Sequence, residues 1–90
     1  MSKLYVLGPK NSGKTTFIRK MFGEELNTYE HLIIESDSIP EIEDAFHIFL
    51  ILPSKEEMER RGFKLSNEEQ EKWMKFYHQY DKELTLVEGF

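Results

Sequence analysis

The sequence predicts an α/β fold, a small open parallel sheet of three to four strands with flanking helices. Three observations lead there. Short apolar runs and helix-period segments follow one another in the order β-α-β-(turn)-β-α-α-β, the pattern of strands joined by helical crossovers. The strongest strand, Phe46 to Leu52, is nearly continuous in apolar residues, as parallel strands covered on both faces tend to be. Two capping boxes, Ser54-Lys55-Glu56-Glu57 and Ser66-Asn67-Glu68-Glu69, then mark two successive helix starts. Ninety residues make a single domain, 1–90, with a small core.

In chain order, Lys3 to Leu7 reads as a short buried strand that Gly8-Pro9 ends. Thr15 to Phe22 reads as a helix, with Phe17, Ile18 and Met21 on one face and Gly23 as its stop. Residues 24–30 are polar and acidic, hence loop, and His31 to Glu35 is a second strand. Ser36 to Ala45 connects it to the Phe46 strand, with Pro40 placed to open one helical turn. The first capping box opens a helix to about Arg61, stopped by Gly62, and the second a helix to about Lys82. That last helix carries Trp73, Phe76, Tyr77 and Tyr80 at i, i+3, i+4 and i+7, a single apolar face read as core. Leu84 to Val87 is a final short strand.

Composition narrows the function classes. Hydrophobic residues at 39% against 32% charged describe a globular chain rather than a disordered one. The absence of Cys excludes disulfide frameworks, Cys-ligated zinc and thiol catalysis. His31, His47 and His78 have no ligand spacing and read as structural. The longest apolar run, Ile48 to Leu52, falls far short of the roughly 20 residues of a membrane helix. Leu4 to Leu7, cut off by Gly8-Pro9-Lys10, does not read as a signal peptide, so the expectation is a cytoplasmic protein with no membrane partner.

The net charge of −5 argues against nucleic-acid binding, which depends on neutralising phosphates. That average conceals a split. Residues 1–20 carry five basic side chains and no acid, whereas residues 21–54 carry eight acids and no Lys or Arg. The start of the chain suits an anion; the middle suits a cation or a basic partner.

The one specific motif is Gly8-Pro9-Lys10-Asn11-Ser12-Gly13-Lys14-Thr15, which matches G-x-x-x-x-G-K-[ST] at every fixed position. Such a loop wraps a phosphate with successive backbone N–H groups, which requires Gly at two positions. The following helix aims its positive end at the anion. The cofactor-binding residues are therefore Gly8 to Thr15 together with Thr16, with Pro9 and Asn11 contributing shape. Lys14 would reach the β- and γ-phosphates of ATP or GTP, and the Thr15 hydroxyl would hold Mg²⁺. A phosphate loop also needs an acid near the metal. Glu35, at a strand's C-terminal end where open parallel sheets form their ligand crevice, is preferred, with Asp37 two residues on. Lys55, Arg60, Arg61 and Lys64 cluster around a helix end. They read either as a phosphoryl clamp or as partners of Glu56, Glu57 and Glu59.

Lys3 to Met21 resembles the start of a P-loop NTPase, and the later pattern is similar to the nucleoside and nucleotide kinases, thymidylate-kinase-like proteins in particular. Leu32-Ile33-Ile34-Glu35 resembles their acid-bearing strand and Phe46 to Leu52 the next one. Pro53 to Gly62 resembles the stretch leading into their lid, and Phe76 to Tyr80 the helix after it. The resemblance implies catalytic roles for Lys14, Glu35, Arg60 and Arg61, the two arginines as lid residues, with Mg²⁺ held near Thr15 and Glu35 as the acidic strand-end residue. It also implies the strand order 2-1-3-4. The chain departs from the family by lacking the strand and helices that bind the phosphate acceptor. Only about eight residues, Gly23 to Glu30, stand in their place, and Ser36 replaces the arginine that often follows the acid.

Two functions from different classes follow. One is Mg-nucleoside-triphosphate binding by a minimal kinase-like domain, with weak phosphoryl transfer or hydrolysis. The other is a kinase-derived protein-interaction module, such as an inhibitor of another protein, with catalysis lost and the acidic 24–44 surface as its contact. A homo-oligomer in which a neighbour completes the open site is a third arrangement.

Overall fold

The computed structural model describes residues 3–23, 32–80 and 83–88. Four strands, β1 (Lys3–Leu7), β2 (Ile33–Ser36), β3 (Ala45–Ile51) and β4 (Leu84–Val87), form one sheet in the order β2-β1-β3-β4. Every pairing is parallel, so the expected α/β class, parallel sheet and strand order all hold. Among the described residues there are three helices, α1 (Lys14–Phe22), α2 (Lys55–Arg60) and α3 (Asn67–Gln79).

Strand alternation divides the core into two layers. Tyr5, Leu7, Ile48 and Leu50 point to one face, where they pack with Met58 of α2, Leu65, and Trp73 of α3. Phe76, Tyr77 and Tyr80 flank this cluster, so the aromatic stripe is core as expected. Val6 and Ile51 point to the other face and meet Phe17 and Ile18 of α1. Met21, expected on that face, is instead 49% exposed, because the nine-residue helix reaches the sheet mainly through its first two turns.

The remaining differences lie at boundaries and in one connection. α1 begins at Lys14 rather than Thr15, and β3 runs one residue earlier than expected. β2 starts at Ile33 and ends at Ser36; His31 lies outside the described residues. α3 ends at Gln79, short of Lys82, because the Tyr80 backbone turns extended (φ −92°, ψ 107°). Pro40 opens no helical turn. The connection from β2 to β3 crosses β1 in eight residues, 37–44, and side chains satisfy the backbone at both its ends. Ser36 Oγ accepts from Ser38 N at 3.1 Å. The Tyr5 hydroxyl donates to Glu43 O at 3.0 Å and accepts from Glu43 N at 3.1 Å. With these partners made and Ile39 and Ile42 packed on the core, the segment gains nothing from helical hydrogen bonds.

Candidate functional site

Because all the strands are parallel, the C-terminal ends of β1 and β2 reach the same edge of the sheet. Leu7 pairs with Ser36 there, which brings the loop after β1 beside Glu35 and Asp37. The loop is compact. Ser12 N donates to Pro9 O at 3.1 Å, and Asn11 adopts a left-handed conformation with φ 65°. Gly8 is buried against β3, where a Cβ would overlap the Ile51 carbonyl oxygen and stand 2.8 Å from Ser12 Oγ. A side chain at this position is therefore excluded by contact. Gly13, with φ 104°, turns the chain into α1.

The N-terminus of α1 differs from those of the other helices. Ser54 and Ser66 cap α2 and α3 by accepting from Glu57 N and Glu69 N, each at 3.1 Å. Gly13 supplies no side-chain cap to α1, and no acid stands in its first turn. Its leading N–H groups therefore face the cavity with the positive end of the helix behind them.

That cavity, about 550 Å³, is lined by Lys10, Asn11, Gly13, Lys14, Thr15 and Thr16 from the loop and α1, by Glu35 and Asp37 from the β2 end, and by Arg61 and Phe63. Lys14 is only 5% exposed. Its ammonium donates to Gly8 O at 3.0 Å and Pro9 O at 2.7 Å, and pairs with Asp37 Oδ1 at 2.7 Å. Thr15 Oγ1 donates to Glu35 Oε1 at 3.0 Å. The two carboxylates are thus divided between the lysine and the threonine, and both expected acids, Glu35 and Asp37, line the cavity. Arg61 Nη1 donates to Ser12 O at 3.0 Å, closing the wall opposite.

Of the residues singled out from sequence, Gly8, Pro9 and Ser12 are buried beneath the loop rather than exposed in the cavity. Arg60 is not brought to it. Its side chain is 77% exposed and pairs with Glu57 Oε2 at 3.2 Å, the local helix pairing of the blander reading. The helix turns by about 100° per residue, so adjacent arginines face different ways, and only Arg61 is directed at the loop. Phe63 went unremarked in the sequence; its signal was a large apolar residue just after the Gly62 stop, at a position 42% exposed. Of the acidic middle, Glu41, Glu43 and Asp44 are exposed, while Glu24, Glu25 and Glu30 lie outside the described residues.

Comparisons of the chain with protein-family models, with curated proteins and with solved structures returned no match.

Proposed function

We propose that this chain binds a nucleoside triphosphate together with Mg²⁺, as a minimal P-loop domain of the kinase-like kind. One observation carries the reading: the Gly8–Thr15 loop, an uncapped helix N-terminus, a buried lysine and two carboxylates converge on a single cavity. The phosphate chain would lie against the backbone of residues 10–15, with Lys14 on its outer oxygens.

The donor set suits Mg²⁺. Thr15, Glu35 and Asp37 offer hard oxygen ligands, and among the described residues no larger group of acids or histidines converges. Mg²⁺ is commonly held by one or two carboxylates plus substrate phosphates rather than by an all-protein cage. When bound, the ion offsets charge on the β- and γ-oxygens. Arg61, held by the loop it faces, would add a fixed positive charge on the opposite side.

Thermal unfolding with and without Mg-ATP and Mg-GTP tests this. A ligand at about 100 times its dissociation constant adds roughly 2.7 kcal/mol of stability. Wild type gains that shift, and Lys14→Ala does not. Lys14→Ala also starts lower, because Gly8 O and Pro9 O lose their donor, so the readout is the ligand-induced shift alone. Equal shifts in wild type and variant would overturn the reading.

A second reading, an interaction module with catalysis lost, draws on the short connection between α1 and β2. The order β2-β1-β3-β4 is the one the kinase resemblance implies, but only about eight residues, Gly23 to Glu30, stand where those kinases carry the strand and helices that bind the phosphate acceptor. Under it, the domain binds nucleotide but transfers no phosphate to nucleosides or their monophosphates.

A further inference from the structure

The loop cavity has a neighbour. A smaller pocket of about 160 Å³ shares Lys10, Asn11 and Phe63 with it, so the two lie side by side. Its other walls come from Pro9, Met58, Lys64, Leu65 and Glu69. Met58 and Leu65 are buried at 1% and 6% exposure and make an apolar floor. Phe63 stands at the rim, 42% exposed, where an aromatic ring of this size is normally covered. Glu69 N is taken by the Ser66 cap, but the Glu69 carboxylate has no hydrogen-bond or ion-pair partner among the described residues.

The volume is too small for a whole ligand, since ligand pockets run to roughly 300–1,000 Å³. It suits one flat ring system attached to something held next door. An apolar floor, a partly exposed aromatic ring and an acceptor-only carboxylate, with Lys64 also in the lining as a donor, are elements that recognise a nucleobase. Stacking on Phe63 gives affinity for any base. A carboxylate accepts hydrogen bonds and cannot donate, so it selects bases that present adjacent N–H groups. Guanine presents a ring N–H beside an exocyclic amino group and meets both oxygens; adenine sets a ring acceptor beside its amino group.

The geometry points to a nucleobase subsite built by Phe63, Leu65 and Glu69 beside Lys10 and Asn11, selective for guanine over adenine. It rests on the reading that the Gly8–Thr15 loop holds a phosphate chain. The base belongs either to the triphosphate itself or to a second nucleoside lying next to it.

Calorimetric titration with four probes separates these cases: Mg-tripolyphosphate, Mg-GTP, Mg-ATP, and guanosine added to protein saturated with Mg-tripolyphosphate. Stacking on one aromatic contributes roughly 1–3 kcal/mol, so Phe63→Ala should weaken the base-bearing probe by about 5- to 150-fold. Phe63→Leu, which keeps apolar volume without the π-face, should weaken it in the same direction by less. Glu69→Gln should erase the preference for guanine. Tripolyphosphate, having no ring, should respond less than twofold to each. Sensitivity of Mg-GTP assigns the base to the triphosphate; sensitivity of guanosine alone assigns it to a second molecule. The subsite is wrong if tripolyphosphate, GTP and ATP bind wild type equally and guanosine does not bind. It is equally wrong if the Phe63 variants weaken tripolyphosphate as much as GTP; in both cases the loop reading survives. If wild type binds neither tripolyphosphate nor nucleotide, the loop reading fails and takes the subsite with it.

Discussion

Arg61 Nη1 donates to the Ser12 carbonyl at 3.0 Å, joining residues 49 apart in sequence. The same guanidinium donates through Nε to Glu57 Oε1 at 3.2 Å. One planar fork therefore ties the end of α2 to the middle of the glycine-rich loop while its remaining surface lines the cavity. The loop's shape is held from outside the β1–α1 unit as well as from within it.

An ammonium is a point charge on a flexible stem and cannot span both partners as the guanidinium does. Arg61→Lys is expected to lose one charge-assisted bond and cost about 1–2 kcal/mol. For a chain of this length that lowers Tm by roughly 4–8 °C per kcal/mol. Arg60→Lys serves as the control, since its pairing is exposed, and should stay within about 0.5 kcal/mol. Thermal unfolding of the two variants side by side checks this, and equal losses would refute the asymmetry.

Gly8 and Gly62 separate two reasons for glycine. At Gly8 a methyl group would collide with the Ile51 carbonyl, which belongs to a buried central strand and cannot give way. At Gly62, φ is 87° but nothing lies within 4 Å of a Cβ. Gly62→Ala should then cost only the left-handed strain, about 1–2 kcal/mol. Gly8→Ala adds overpacking of about 1–3 kcal/mol or more and should approach the limit of this small domain's stability. Urea midpoints measured on both variants should fall in that order.

The sequence was most legible where one residue's local chemistry decides the outcome. Ser54 and Ser66 start helices because their hydroxyls accept the backbone N–H three residues on, which depends on no distant contact. The strand runs were readable because burial on both faces demands continuous apolar residues, and Ile48, Leu50 and Ile51 are fully buried. What escaped depends on partners far along the chain. Tyr5 takes up the backbone of Glu43, 38 residues away, and no local pattern at Pro40 announces that. The loop at Gly8–Thr15 was visible as a motif, but the choice of Arg61 over Arg60, and the arrival of Phe63, depend on how α2 is rotated against the loop.

The two serine caps are independent, lying on separate helices. Ser54→Ala and Ser66→Ala should each cost about 1 kcal/mol. The double variant should lose the sum within about 0.5 kcal/mol. Chemical denaturation measures all three, and a double loss well below the sum would mean that α2 and α3 unfold as one unit in which the first cap lost already frees the second.

Asp37 sets a charge against the loop's own lysine. The Lys14 ammonium has three donors, and Gly8 O, Pro9 O and Asp37 Oδ1 occupy them. A phosphate oxygen needs one of the three. The two carbonyls belong to the packed loop, whereas the Asp37 side chain is 59% exposed and is the partner solvent can most readily accept back. Without Mg²⁺, Asp37 therefore competes with the anion for Lys14. Asp37→Asn should tighten inorganic tripolyphosphate binding in the absence of Mg²⁺. The pair is half in solvent and worth about 0.2–1 kcal/mol, so the gain should be roughly 1.4- to 5-fold. With Mg²⁺ present the sign should reverse, because the variant has given up one of the two carboxylates available to the ion. Titrations of both proteins with tripolyphosphate, in chelator and in excess Mg²⁺, read the two effects separately. Weaker binding of the variant in chelator would show that Asp37 aids the anion site rather than competing with it, and unchanged Mg²⁺ dependence would remove Asp37 from the metal's neighbourhood.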